Sequence, residues 1–120
     1  MATTNQNLSE HNTANLPSIS RRHFSIITSE WNREVTQRLL DGAIATLLQH
    51  GAKEKNIRTK WVPGSFELSL GAQWEAARPK VDAVICLGCV IQGETPHFDY
   101  ICQSVAQGVK DVALKHDKPV

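Results

Sequence analysis

Apolar and polar positions change rhythm several times along the chain, and each change marks an element. Phe24-Ser25-Ile26-Ile27-Thr28 is a short run of strand-forming residues. From Arg33 the spacing turns helical, with Val35, Leu39, Ala43, Ile44, Leu47 and Leu48 on one expected apolar face. Asn32 suits the N-cap of that helix and His50-Gly51 its end. Ile57, Thr59 and Trp61 then alternate with Arg58 and Lys60, which predicts a strand ending at Val62. Pro63-Gly64 breaks it. Ser65 suits the cap of a second helix with an apolar face of Phe66, Leu70, Trp74 and Ala77, ended by Pro79.

The longest apolar run is Val84-Ile85-Cys86-Leu87-Gly88-Cys89-Val90-Ile91. Its continuity predicts a central strand buried on both faces. Gln92-Gly93 stops it, and Glu94-Thr95-Pro96 leads into a third helix carrying Ile101, Val105, Val109 and Val112, as far as about Lys115. Asp117-Lys118-Pro119-Val120 reads as a turn into a further strand. The order is β-α-β-α-β-α, which implies a parallel sheet covered by helices through right-handed crossovers. Residues 1–19 are rich in Asn, Thr, Ser and Gln without a period, so they read as a flexible arm ahead of a domain over 20–120.

Composition narrows the picture modestly. With 120 residues, 41% hydrophobic and 21% charged, one globular domain with a real core is expected. A net charge of +1 gives no general attraction to nucleic acid or membrane surfaces. No apolar stretch approaches the roughly 20 residues that cross a bilayer. Ser20-Arg21-Arg22-His23-Phe24 resembles a twin-arginine signal, but the long apolar region such a signal needs does not follow. The three cysteines, Cys86, Cys89 and Cys102, fit reduced thiols and a cytoplasmic setting. Cys86 and Cys89 lie three apart in an expected strand, so their sulfurs point to opposite faces, which argues against a zinc or redox pair.

Chemistry concentrates where strands lead into helices, because ligands of parallel sheets bind beyond the carboxyl ends of the strands. Three such loops are Glu30-Trp31-Asn32, Pro63-Gly64-Ser65-Phe66-Glu67 and Gly93-Glu94-Thr95-Pro96-His97. Free N–H groups at a helix start can hold an anion, and His97 beside them can transfer a proton. Taken singly, each has a plainer reading. His97 suits a surface cap, Gly93-Glu94-Thr95 an ordinary turn, Trp31 an exposed anchor, and Glu67 dipole complementation.

Taken together, Ile26 to Asn32, Trp61 to Glu67 and Leu87 to Tyr100 resemble the lumazine synthase family. The block Gly93-Glu94-Thr95-Pro96-His97-Phe98-Asp99-Tyr100 is the most specific of these segments. The resemblance implies a flavodoxin-like three-layer α/β/α sandwich around a central parallel sheet. It implies condensation of a ribitylaminouracil with dihydroxybutanone phosphate, with no cofactor and no metal. By the same resemblance His97 is the proton-transfer residue, and Gly93, Glu94 and Thr95 bind phosphate. Trp31 stacks on the pyrimidine, Asn32 and Glu67 meet the ribityl chain, and Ser65, Phe66, Cys89, Val90 and Ile91 form the pocket wall. A homo-oligomer, a pentamer or an assembly of pentamers, is expected. The family continues beyond the position of Val120, so the sequence reads as a fragment lacking a C-terminal strand and helices and the cations they carry. The competing expectation is a non-catalytic flavin- or lumazine-binding or assembly module of the same fold.

Overall fold

The computed structural model describes residue 10 and residues 12–120; most of the expected arm, residues 1–9 and 11, lies outside the described residues. Strands and helices alternate as expected: β1 (Phe24–Ser29), α1 (Arg33–Gln49), β2 (Ile57–Val62), α2 (Leu68–Ala76), β3 (Ala83–Leu87) and α3 (His97–His116). The three strands are parallel in the order β2-β1-β3, the order of the first strands of a flavodoxin-like sheet. Phe24 lies between Ile57 and Ala83, and Thr28 between Trp61 and Leu87.

The centre of the sheet is β1, not the long apolar run. Every residue from Ser25 to Ser29 is buried, because β1 is paired on both edges and covered on both faces. The run from Val84 to Ile91 departs from expectation twice. Its strand stops at Leu87, and only Val84 within it is fully buried. Leu87 is the last residue of β3 with a partner in β1, and β1 itself ends one residue further on at Ser29, so the chain from Cys89 has no strand to follow. An apolar run is a local signal, whereas pairing depends on where the neighbour ends.

One core cluster joins Ile27, Val62, Leu68, Ala72, Ala76, Val81, Val84 and Val112 between the sheet and α2 and α3. The buried face of α2 is Leu68, Gly71, Ala72, Glu75 and Ala76. The expected face is therefore corrected: Phe66, Leu70 and Trp74 point outward and are 60%, 47% and 64% exposed, and Ala77, just past the helix, is exposed too. Small residues win the inner face because the helix lies close to β1. A Cβ at Gly71 would come within 2.8 Å of the Ile27 side chain. Glu75 is buried because it is paired. Ser25 Oγ donates to its Oε2 at 2.7 Å, and Arg58 Nε stands 3.3 Å from the same oxygen.

The face of α1 is also rotated from expectation. Thr36 and Leu40 are buried, Ala43, Ile44 and Leu47 are half-buried, and Val35, Leu39 and Leu48 are exposed. A narrow sheet covers a narrow stripe of helix, so part of the apolar set stays outside. The face of α3 agrees with its spacing: Val112 is buried, with Ile101, Val105 and Val109 half-buried. After α3, Asp117 turns in the left-handed region with φ 52°. Lys118 Nζ then donates to the carbonyls of Ala76 and Arg78 at 2.8 Å each, where the dipole of α2 favours a cation. Val84 N–H donates to the Pro119 carbonyl at 3.0 Å, and Val120 packs against the core. The last residues thus lie along the open edge of β3, as a turn into a further strand would place them.

Candidate active site

The carboxyl ends of β1, β2 and β3 carry the three loops singled out in the sequence. The first two are tied together by main chain. Glu30 N–H donates to the Val62 carbonyl at 2.8 Å, and Trp31 N–H to the Pro63 carbonyl at 3.0 Å. Those bonds carry the β1–β2 pairing past its last rung and set Trp31 beside the 63–67 turn. The indole is 72% exposed, a large flat apolar surface turned outward.

Asn32 departs from the simple N-cap. It precedes α1 and its carbonyl accepts from Val35 and Thr36, but its side chain caps nothing. Its backbone sits at φ 60°, ψ 48°, a left-handed conformation that Asn tolerates better than most residues. Nδ2 reaches instead across to the Cys89 carbonyl at 3.4 Å. Ser65 is corrected in the same way. The turn over Ser65–Glu67 is a single 3-10 turn, and Ser65 Oγ donates to the Cys89 carbonyl at 3.4 Å instead of accepting from a helix N–H. Glu67 holds that turn, accepting from Gly64 N–H at 2.9 Å.

These loops enclose a pocket of about 680 Å³, lined by Trp31, Asn32, Gly64, Ser65, Phe66, Glu67, Cys89, Val90, Ile91, His97 and Ile101. Every residue expected to bind the pyrimidine or ribityl chain is in that lining, and so is His97. His97 is the first residue of α3, and Pro96 directly before it receives the N–H groups of Asp99 and Tyr100. Gly93, Glu94 and Thr95 lie outside the lining, exposed on the approach to α3. The sequence reading passed over Gly64 as a lining residue, and Ile101 too. Ile101 stands four residues after His97, and that spacing on one helix face was the signal that could have found it.

The lining is mostly apolar, with one carboxylate, one imidazole and no lysine or arginine. Such a pocket takes a flat, weakly charged ring with a polar tail. A phosphate would meet its charge partners outside this lining. Among the described residues no group of three or more His, Cys, Asp or Glu side chains is placed to hold a metal ion. Cys86 and Cys89 do not converge: Cys89 lines this pocket, whereas Cys86 faces a second cleft behind it. Burial pushes the Cys86 thiol up from 9.0 to about 11. No helix among the described residues is long and apolar enough to cross a membrane.

Comparison with known proteins gives this geometry its relatives. Residues 21–120 match the family model for 6,7-dimethyl-8-ribityllumazine synthase. The synthase of that name from Cytophaga hutchinsonii is 53% identical over 120 residues, covering 100% of this chain and 75% of the relative. The one from Parabacteroides distasonis is 50% identical over 119 residues, covering 99% and 74%. A third, from Bacteroides fragilis, is 55% identical over 97 residues, covering 81% and 68%. The chain therefore belongs to the 6,7-dimethyl-8-ribityllumazine synthase family.

Proposed function

We propose that this protein condenses 5-amino-6-(D-ribitylamino)uracil with 3,4-dihydroxy-2-butanone 4-phosphate. The products are 6,7-dimethyl-8-ribityllumazine, phosphate and water, in the penultimate step of riboflavin biosynthesis. One observation carries the reading: Trp31, Asn32, Ser65, Phe66, Glu67, Cys89, Val90, Ile91 and His97, separated in sequence, line one pocket.

The residues divide the work by chemistry. The pyrimidine stacks on the exposed Trp31 indole, with its edge toward the main chain of Cys89, Val90 and Ile91 and its far side against Phe66. Asn32 and the Glu67 oxygen not engaged by Gly64 face the ribityl hydroxyls. The phosphate rests on the turn Gly93, Glu94, Thr95 at the N-terminus of α3, where N–H groups and the helix dipole favour an anion. The substrate's own amine attacks the ketone, so the protein supplies no nucleophile. His97, between pocket and turn, moves protons as the imine forms, phosphate leaves and the ring closes. Holding two substrates in reacting geometry supplies much of the remaining acceleration.

The working form is a homo-oligomer, a pentamer or an assembly of pentamers, in the cytoplasm. Its support is the line of large apolar side chains left outside the core, Phe66, Leu70 and Trp74. Mixing the purified chain with both substrates and following the lumazine product's absorbance and fluorescence tests the activity. Product above the uncatalysed background is expected. Binding of lumazine or riboflavin with no product formed would replace the enzyme by a binding module.

A further inference from the structure

The stretch that would face the pyrimidine is held in an unusual way. Beyond Leu87 the chain leaves the sheet, and between Cys89 and Thr95 no main-chain group bonds to another main-chain group of the described residues. It is not backed by a filled core either. In front lies the site pocket. Behind lies a cleft of about 370 Å³ lined by Leu68, Cys86, Gly88, Cys102, Val105 and their neighbours, and Ser65 and Val90 border both spaces. A strip of chain between two openings, without a ladder, needs another tether.

That tether is one carbonyl. Asn32 Nδ2 and Ser65 Oγ, from the loops after β1 and β2, both donate to the Cys89 oxygen, each at 3.4 Å. A carbonyl has two lone pairs, so it can serve both donors, and each bond is longer than a single strong one. Two further features fit. The left-handed backbone at Asn32, uncommon outside glycine, is where this side chain leaves the helix start and crosses to Cys89. Gly88 lets the chain approach, since a Cβ there would fall 2.5 Å from Ser65 Oγ and 2.7 Å from Leu68 Cδ1.

We infer that Asn32 and Ser65 form a two-armed clamp on the Cys89 carbonyl, which positions the Cys89–Ile91 wall for the pyrimidine substrate. They are positioning residues in this role, in addition to any contact of their own with substrate. The wall is set before substrate arrives, and its main-chain groups present a fixed edge to the ring. This rests on the proposed condensation for its substrate but not for its mechanics.

The test compares Asn32→Gly, Ser65→Ala and the double variant, in the oligomeric form the protein adopts. Glycine at position 32 accepts the left-handed backbone, so it removes the arm without adding strain. Nitrogen-15 relaxation of the ligand-free protein reports the wall directly. Order parameters for Val90 and Ile91 are expected near about 0.85 in the wild type and below about 0.6 in the double variant. Ile26 and Ile27 in β1 should stay rigid in every variant, which shows that the fold is intact. Because the arms share one acceptor, either alone keeps much of the hold. Each single variant should raise KM for the pyrimidine about threefold, and the double variant about thirtyfold or more, above the product of the singles, with kcat within about twofold.

An unchanged wall in the double variant overturns the clamp, even if KM rises, because the side chains would then serve substrate alone. A mobile wall with unchanged KM overturns the positioning role. If the wild type makes no product, the proposed reaction falls and the positioning role with it. The relaxation data still decide whether the clamp exists, so the two failures are told apart.

Discussion

β1 and β3 are neighbours in one sheet and are built from similar residues, yet they live differently. β1 is paired on both edges, and every residue from Ser25 to Ser29 is buried. β3 has one strand partner, one bond to Pro119 on its other edge, and a single buried residue, Val84. Past their carboxyl ends the contrast sharpens. The chain after β1 is tied to the β2 loop by two main-chain bonds, whereas the chain after β3 is tied by side chains to one oxygen. Buried residues are concentrated in β1 and α2. The wall of the pocket hangs from the less secured strand and takes its hold from the side chains of Asn32 and Ser65, not from a ladder.

Removing the centre is the strongest way to break this contrast. Ile27 is fully buried and touches the Gly71 region of α2 and the Val62 side chain nearby. Ile27→Ala should destabilise the protein by about 2–5 kcal/mol, read from the denaturant midpoint, because close packing leaves little room to collapse. The same truncation at Ile85 in β3, which is only half-buried, should cost clearly less. Equal costs at the two positions would show that β3 is as well supported as β1.

The site side of the comparison predicts the reverse pattern. His97 is exposed at the start of α3 and makes no side-chain hydrogen bond to another described residue. His97→Ala should leave the melting temperature nearly unchanged while lowering kcat about a hundredfold or more, with pyrimidine binding retained. Unchanged turnover would remove the histidine from the mechanism.

What the sequence made legible follows the same division. β2 alternates strictly from Ile57 to Trp61, and its bounds were predictable because its rhythm is local. The loops of the site were readable because each stands between a strand and a helix, whereas the roles expected of their residues came from the family resemblance. The extent of β3 was not readable, since it stops within one residue of the end of β1, a fact about another part of the chain. The inner face of α2 was missed for a different reason. Periodicity weighs large apolar residues, but a helix lying close to a strand selects small ones, so Gly71, Ala72 and Ala76 went inside and Trp74 stayed out. The side-chain bonds of Asn32 and Ser65 to Cys89 cross 57 and 24 residues, a separation that no local pattern reports.

A smaller effect lies at the junction of β1 and α2. Glu75 is 6% exposed, with Ser25, Arg58 and, at 4.0 Å, Arg78 on one of its carboxylate oxygens. Glu75→Gln keeps the shape and removes the charge, leaving Arg58 and Arg78 without this counterion but able to reach solvent. A loss of about 1–3 kcal/mol is expected from the weakened charge-assisted bonds, measured by chemical denaturation. A neutral result would mean that Ser25 alone holds the side chain and that the two ion pairs contribute little.

The finest distinction is between two thiols three residues apart, one in each environment. Cys86 is within β3 and its pKa is raised to about 11 by burial, whereas Cys89 faces the pocket. Since the thiolate is the reactive form, Cys86 should hold roughly a hundredfold less of it at pH 8 than a thiol with its ordinary value. Iodoacetamide followed by peptide mass spectrometry should therefore mark Cys89 long before Cys86. The same burial has a consequence for folding with a definite sign. The unfolded thiol ionises near 9.0 while the folded one resists until about 11, so stability contributed by the neutral thiol is complete below pH 9 and lost between those values. Cys86→Ala should flatten the fall in stability across that window. If the slope is unchanged, Cys86 is not the group responsible, and the cleft behind the wall is wetter than its lining implies.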